Sequence, residues 1–246
     1  HMLDRNPCGS SSGSGAAAAA SLAAGTVGTE TNGSIICPSN VNGVVGFKPT
    51  VGLVSQDFII PISSSQDTAG PMTKTVMGAA MMLNAMATGA AKTDYAATLD
   101  AAALQGKRIG VLRGAQGSSP LVKDSFEQAL SAMESAGAIL VDIDDIDMPD
   151  GFWGKSFDVL KYEFKATLNA YLASTPDTVT TPTLADLIAF NAEHADIELA
   201  LFNQDIFEQS EGMEDLESDG YKEAVAFVQS ATRENGIDRL LAEHDV

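Results

Sequence analysis

The chain of 246 residues has 14 lysine and arginine residues against 33 aspartate and glutamate residues, a formal net charge of −19 with histidine neutral. This balance excludes a nucleic-acid binder, because phosphate contacts need clustered cations and here they are few and scattered. Hydrophobic residues make up 45% of the sequence, which excludes a disordered chain and is enough to bury a core. The length suits one large domain or two small ones.

The sequence shows no sign of a disulfide framework, a zinc site or a membrane span. Cys8 and Cys37 are too few for such a framework, and neither lies in a Cys/His cluster of the kind that holds zinc. No run of about 18 strongly apolar residues occurs, so no contact with a membrane is expected. Residues 1–2 resemble a cloning scar and no signal peptide follows them, so we expect the natural N-terminus to be absent and favour a cytoplasmic location.

The first third of the chain is rich in small residues. Residues 3–90 hold most of the glycine, serine and threonine and few charges, which is typical of tight loops around small-residue packing. Residues 16–24 predict a buried helix, 44–48 a short strand, and 73–87 a helix with one apolar face. This stretch is therefore expected to form a core in which backbone segments approach closely.

Residues 106–146 predict a β-α-β unit. A strand is indicated at 108–112, a helix that opens at Pro120, and a second strand at 138–141 after the helix stop at Gly137. Because a helical crossover joins the two strands, they are expected to pair in parallel.

The remainder, residues 155–246, has a helical pattern. Thr183 ahead of Asp186 predicts an N-cap with an acidic first turn. Residues 208–219 combine acidic side chains with little apolar content and predict an exposed loop or helix end. A final helix is expected over 235–246, with no stop signal before the last residue.

Three common catalytic or binding arrangements are not supported. Residues 13–18 (GSGAAA) fit a dinucleotide-binding fingerprint by letter, but residues 4–8 (DRNPC) do not form the hydrophobic strand that must precede it. A Ser-His-Asp triad or a histidine metal site would need His194 or His244. The first lies in a polar helical pattern and the second near the chain end, so both are interpreted as surface residues.

Two serine-containing loops remain as candidates for chemistry. Residues 9–15 (GSSSGSG) enter a predicted helix, and residues 28–34 (GTETNGS) form a second tight loop. Such loops hold backbone N–H groups close together, as an oxyanion requires, and glycine permits the necessary φ values. Small-residue loops also serve helix packing, so from the residues alone both interpretations stay open.

Four collinear motifs resemble the amidase signature family. Residues 9–17 (GSSSGSGAA) are similar to its G-G-S-S-G-G-S-A-A loop, and residues 28–35 (GTETNGSI) to its G-T-[DE]-T-x-G-S-I loop. Residues 43–52 (GVVGFKPTVG) and 66–72 (QDTAGPM) continue the match in register. The resemblance is strong over residues 4–88 and covers the remainder only in general pattern.

The resemblance implies a fold for residues 3–246. The expected fold is α/β, a single domain with a twisted mixed β-sheet core and helices on both faces. The sheet is expected to be incomplete, with strands missing at both chain ends. Exposed sheet edges, or a homodimer that covers them, would follow.

The resemblance also implies the residues of the site. Ser34 is similar to the acylated nucleophile, and Ser10 to a serine that follows a cis peptide bond and relays the proton. Ser11 supports the same network. No cofactor or metal is implied. The expected oxyanion hole consists of the backbone N–H groups of Thr31, Asn32, Gly33 and Ser34.

The family's third catalytic member is a lysine well upstream of the first serine loop. No lysine precedes Ser10, and the first in the chain, Lys48, lies in the Gly-Phe-Lys-Pro-Thr motif. We interpret Lys48 as a structural residue or a partly buried ion pair. The chain by itself is therefore expected to be an inactive piece of an amidase.

Two features bear on the substrate. Residues 36–38 (ICP) stand where many members have arginine after the Ser-Ile pair, which resembles the peptide amidase branch and implies a small amide or C-terminally amidated peptide. Asn32 departs from the acidic residue expected in that branch, so the substrate stays open. The alternative is an amidotransferase-like subunit or a noncatalytic relative that acts through a partner.

Overall fold

The computed structural model describes residues 4–89, 92–144 and 146–246. The chain divides into two compact units, each made of two chain segments. Within the described ranges, no helix combines the length and the apolar character needed to cross a bilayer. That the two units make up one domain stays a prediction. The first unit comprises His1–Thr98 and Val159–Ser218, and the second comprises Leu99–Asp158 and Asp219–Val246.

The first unit contains a three-stranded antiparallel sheet. Its strands are β1 (Gly25–Glu30), β2 (Val45–Gly46) and β3 (Thr68–Thr73), in the order β1-β3-β2. The central strand β3 is buried along its whole length. The pairing of β1 with β3 ends where Glu30 lies opposite Thr68. Residues 31–34, the rest of the second serine loop, therefore follow directly after β1.

Of these strands the sequence analysis predicted only β2. The strand β1 contains Gly25 and Gly28, and β3 contains Gly70 and Pro71. Glycine and proline are depleted in strands, and proline in particular argues against a central strand. Pro71 is accommodated because only its carbonyl is needed, which accepts the N–H of Phe47 at 3.1 Å.

Three helices of the first unit pack around this sheet. They are α1 (Ser12–Ala19), α2 (Ile36–Asn42) and α3 (Val76–Met86). The prediction of a helix over 16–24 was wrong in its bounds, because α1 starts earlier and the chain turns before β1. Hydrogen bonds attach α1 to β1: Ser14 Oγ donates to the Val27 carbonyl at 2.8 Å.

The second segment of the first unit is helical, as predicted. It contains α6 (Leu184–Glu193), α7 (Ala195–Glu198) and α8 (Asp205–Glu211), with the latter part of α5 (Phe152–Ala173). The predicted N-cap is confirmed, since the Asp186 N–H donates to Thr183 Oγ1 at 3.2 Å. Residues 208–219, predicted as an exposed loop or helix end, comprise the end of α8 at Glu211 and the segment that follows it, and Ser210 within them is buried.

The second unit contains the predicted β-α-β arrangement. Strands β4 (Arg108–Leu112) and β5 (Ile139–Ile143) pair in parallel, and α4 (Pro120–Ser135) lies between them in the chain. The described antiparallel and parallel ladders thus belong to two separate sheets. The remaining elements are α9 (Asp219–Gln229), a π-helical segment Ser230–Ile237 and α10 (Asp238–His244). The predicted start of the last helix at 235 was wrong, because the backbone breaks at Gly236 (φ −109°, ψ −114°).

A small polar cluster at the end of α3 allows a pH-dependence test. Asn84 Nδ2 donates to Asp94 Oδ1 at 2.7 Å, and the Ala97 N–H donates to the same oxygen at 3.1 Å. These hydrogen bonds, the one from Asn84 foremost, hold the pKa of Asp94 below its ordinary value. Because they favour the ionised carboxylate, they stabilise the folded chain above the unfolded-state pKa of about 3.9, and this contribution is lost as the pH falls through the lower folded-state pKa.

We therefore expect Asp94→Asn to lower the melting temperature at pH 7 and to lower it less as the pH falls below about 4. Thermal unfolding of both chains between pH 7 and pH 3 measures this difference. A difference in melting temperature that stays constant over that range would contradict the assignment.

Candidate active site

Ser34 lies in the loop at residues 31–34, which follows β1 and precedes Ile35, the N-cap residue of α2. Gly33 has a φ of +86°, a value that favours glycine, and Ser34 itself is half-buried. The backbone N–H groups of Asn32, Gly33 and Ser34 donate to no group within residues 4–89, 92–144 and 146–246. Three consecutive N–H donors beside a serine hydroxyl could stabilise an oxyanion that forms at this serine.

A buried carboxylate closes this loop. Glu30 is 6% exposed, and its Oε2 accepts the N–H groups of Ile35 at 2.7 Å and Ile36 at 3.0 Å. The side chain at the start of the loop thus binds the backbone at its end. Sequence reasoning did not assign Glu30 a role, although it occupies the acidic position of the Gly-Thr-[Asp/Glu]-Thr motif.

The residue after Ser34 is anchored among glycines of all three strands. Ile35 is fully buried. A Cβ at Gly28 of β1 or Gly46 of β2 would lie 3.1 Å from an Ile35 side-chain carbon, and one at Gly70 of β3 would lie 2.9 Å away. A side chain at any of these positions would crowd Ile35 and other neighbours, so the close packing beside the serine depends on glycine.

The first serine loop contacts the second through Ser11. The peptide bond Gly9–Ser10 is cis, at the place that the family resemblance implies. Ser11 Oγ donates to the Thr29 carbonyl and accepts the Thr29 N–H, both at 3.1 Å, and the Ser11 N–H donates to the Ser34 carbonyl at 3.3 Å. In the described part of the chain the hydroxyls of Ser10 and Ser34 share no direct hydrogen bond. The structure therefore brings the two loops together while leaving the proton relay a prediction.

A disulfide bond joins the chain segments that flank the two serines. Cys8 pairs with Cys37, and their Cα atoms are 5.9 Å apart. Asn42 Nδ2 adds a hydrogen bond to the Pro7 carbonyl at 3.1 Å. The sequence analysis did not predict this pair, and the signal available was that each cysteine lies within three residues of a candidate serine.

Lys48 makes a local hydrogen bond. It is half-buried, and its Nζ donates to the Pro49 carbonyl at 3.2 Å. The observed partner is a carbonyl rather than the carboxylate of an ion pair. Its place in the Gly-Phe-Lys-Pro-Thr motif and this local bond favour a structural role over one in catalysis.

Comparisons with known proteins define the class. The Amidase family matches residues 1–246. A probable amidase of Arabidopsis thaliana is 36% identical and is matched by 99% of this chain over 49% of its own length. The native peptide amidase of Stenotrophomonas maltophilia is 40% identical with a TM-score of 0.86, covering all of this chain and 52% of its own. A glutamyl-tRNA(Gln) amidotransferase subunit of Acinetobacter baylyi is 39% identical over 69% of this chain and 37% of its own length.

The chain belongs to the amidase family, and its fold is the amidase-signature fold. It spans about half the length of the Arabidopsis relative and of the peptide amidase. The serine loops, the cis peptide bond and the Glu30 contact all lie in the part that the resemblance covers most strongly. The activity of the whole protein is a matter for proposal and experiment.

The Glu30 contact predicts a large effect on stability. We expect Glu30→Ala to lower the free energy of unfolding by about 3 kcal/mol, because it leaves two backbone N–H groups without their charged partner. Urea unfolding of the isolated chain measures the change. Glu193→Ala in α6 removes an exposed glutamate and should change the free energy by less than about 0.5 kcal/mol. Equal effects of the two substitutions would contradict the role assigned to Glu30.

Proposed function

We propose that the chain carries the acylating centre of an amidase that converts carboxylic amides to acid and ammonia. The observation that carries this proposal is the loop at residues 31–34, in which three N–H groups without a partner among the described residues stand beside a serine. Membership of the amidase family supports the same reaction.

In the proposed mechanism the Ser34 hydroxyl attacks the amide carbonyl. The oxygen of that carbonyl becomes an anion, and the backbone N–H groups of residues 31–34 stabilise it. Ser10 passes the proton of Ser34 toward a base and returns it to the leaving ammonia, with Ser11 holding the two loops together. Water then hydrolyses the acyl-enzyme. A serine is a poor nucleophile without a base, so each part of this relay is required.

The base is proposed to be a lysine upstream of the first serine loop. The family resemblance supports this proposal, and this chain has no lysine before Lys48. Because this upstream lysine is not in the chain, and because Lys48 donates to the Pro49 carbonyl, the chain alone is proposed to be inactive.

The proposed substrates are small amides and C-terminally amidated peptides. Support comes from the 40% identity to the peptide amidase of Stenotrophomonas maltophilia and from the residues at 36–38. No cofactor or nucleic acid has a part in the proposed reaction.

A second candidate is an amidotransferase-like subunit or a noncatalytic relative. The 39% identity to a glutamyl-tRNA(Gln) amidotransferase subunit favours it.

Within the described sheet of the first unit, β1 and β2 are the outer strands. A homodimer that covers such edges is proposed as well, and a monodisperse monomer in small-angle scattering would contradict it.

The test is ammonia release from a panel of short peptide amides. Three proteins are compared: this chain, the chain extended at both ends with the flanking segments of the Stenotrophomonas maltophilia peptide amidase, and the extended chain with Ser34→Ala. We expect only the unmutated extended chain to be active, with a loss of at least about 1,000-fold on Ser34→Ala. Ser39→Ala in α2 is the control, because its buried Oγ has no partner among the described residues, and activity should be kept.

Each other outcome changes one part of the proposal. Turnover that survives Ser34→Ala would mean that another residue is the nucleophile. Activity of the unextended chain would show that no upstream lysine is needed. If no protein releases ammonia, the substrate class is wrong or the chain is a noncatalytic relative.

A further inference from the structure

A third segment of the chain contacts the loop at residues 31–34 through a side chain. Thr31, the first residue of that loop, donates its hydroxyl to Asp67 Oδ1 at 2.5 Å. The other oxygen, Oδ2, accepts the N–H groups of Ile62 at 2.7 Å and Ser63 at 2.9 Å. The carboxylate of Asp67 therefore joins the loop that contains Ser34 to the turn at residues 63–67.

The same turn is held from its other side by a second carboxylate. Glu163 of α5 is fully buried, and its Oε2 accepts Ser63 Oγ at 2.5 Å and both the N–H and Oγ of Ser65 at 3.0 Å. Burying a carboxylate is costly unless donors compensate it, and here three donors from one turn do so. Glu163 lies 98 residues beyond Ser65 in the chain, outside the motifs that carry the family resemblance.

These contacts form a continuous path from Glu163 to the loop at residues 31–34. Glu163 binds Ser63 and Ser65, Asp67 binds the backbone of the same turn, and Asp67 then binds Thr31. The hydrogen bond to Asp67 holds the Thr31 side chain, and the peptide unit that follows Thr31 carries the N–H of Asn32. A small displacement at this point would move a donor away from the developing oxyanion, and such errors lower catalysis strongly.

We propose that Asp67 and Glu163 are positioning residues of the amide hydrolysis, which act through Thr31 and the turn at residues 63–67. Neither touches the reacting atoms. The inference rests on the proposed function, because it presumes that residues 31–34 form the oxyanion hole. It predicts that loss of either contact lowers kcat and leaves KM nearly unchanged, since the donors matter most when the oxyanion forms.

The experiment measures kcat and KM of the extended chain on a peptide amide. Thr31→Val and Asp67→Asn are each expected to lower kcat about 10- to 100-fold with KM within about threefold, and Glu163→Gln to lower kcat about tenfold. The double variant Thr31→Val/Asp67→Asn should be no worse than the more damaging single variant, because Thr31→Val removes the hydrogen bond to Asp67 that Asp67→Asn already disturbs.

Two matched controls separate positioning from stability. Thr183→Val removes a hydrogen bond of the same kind, from Thr183 Oγ1 to Asp186 Oδ2 at 2.6 Å at the start of α6. Ser210→Ala removes a fully buried serine hydroxyl of α8, as Ser63→Ala does in the turn. Both controls are expected to lower the melting temperature and to keep kcat within about twofold.

The outcomes distinguish this inference from the proposed function. If Ser34→Ala abolishes turnover but Thr31→Val and Asp67→Asn behave like Thr183→Val, the positioning role is wrong and the proposed function stands. If the losses in kcat of Thr31→Val and Asp67→Asn multiply in the double variant, the positioning role is also wrong. If Ser34→Ala keeps full turnover, the proposed function is wrong, and the positioning role that rests on it is wrong as well. If Glu163→Gln does not fold, Ser63→Ala takes its place, with an expected loss in kcat of about threefold that Ser210→Ala does not show.

Discussion

The attachment of the loop at residues 31–34 is the constraint on which the rest of the site depends. Backbone N–H groups can stabilise an oxyanion only if they are held in place before the reaction, because reorganisation during the reaction would cancel the gain. Glu30 binds the two N–H groups that follow the loop, and Ile35 is buried against glycines of all three strands. A loop of four residues fastened at both ends has little freedom left.

This constraint also explains why the first unit is built from small residues. A side chain at a strand position that faces Ile35 would crowd it. A Cβ at Gly28 would also lie 3.0 Å from Ser11 Oγ. The contacts of Ser11 with Thr29 and Ser34 need that close approach. Glycine at these strand positions thus follows from the close packing around Ile35 and Ser11, and the carboxylates of Asp67 and Glu163 bind the turn at residues 63–67.

The local features of the fold could be predicted, and the long-range ones could not. The motifs located both serine loops, and periodicity with caps located α3, α4 and the N-cap at Thr183. The strands β1 and β3 were missed because tertiary packing overrides the low strand propensity of glycine and proline. The partners of Asp67 and Glu163, like the bond between Cys8 and Cys37, depend on segments brought together by folding, which no local pattern encodes.

The most direct test of the account is a crystal structure of the extended chain after reaction with an alkyl phosphonofluoridate, whose phosphonyl oxygen imitates the oxyanion. The account predicts a phosphonyl group on Ser34 Oγ, with its oxygen about 2.7–3.1 Å from the backbone nitrogens of the loop at residues 31–34. A phosphonyl group on Ser10, or an oxygen directed away from those nitrogens, would contradict the claim that this loop is the acylating centre.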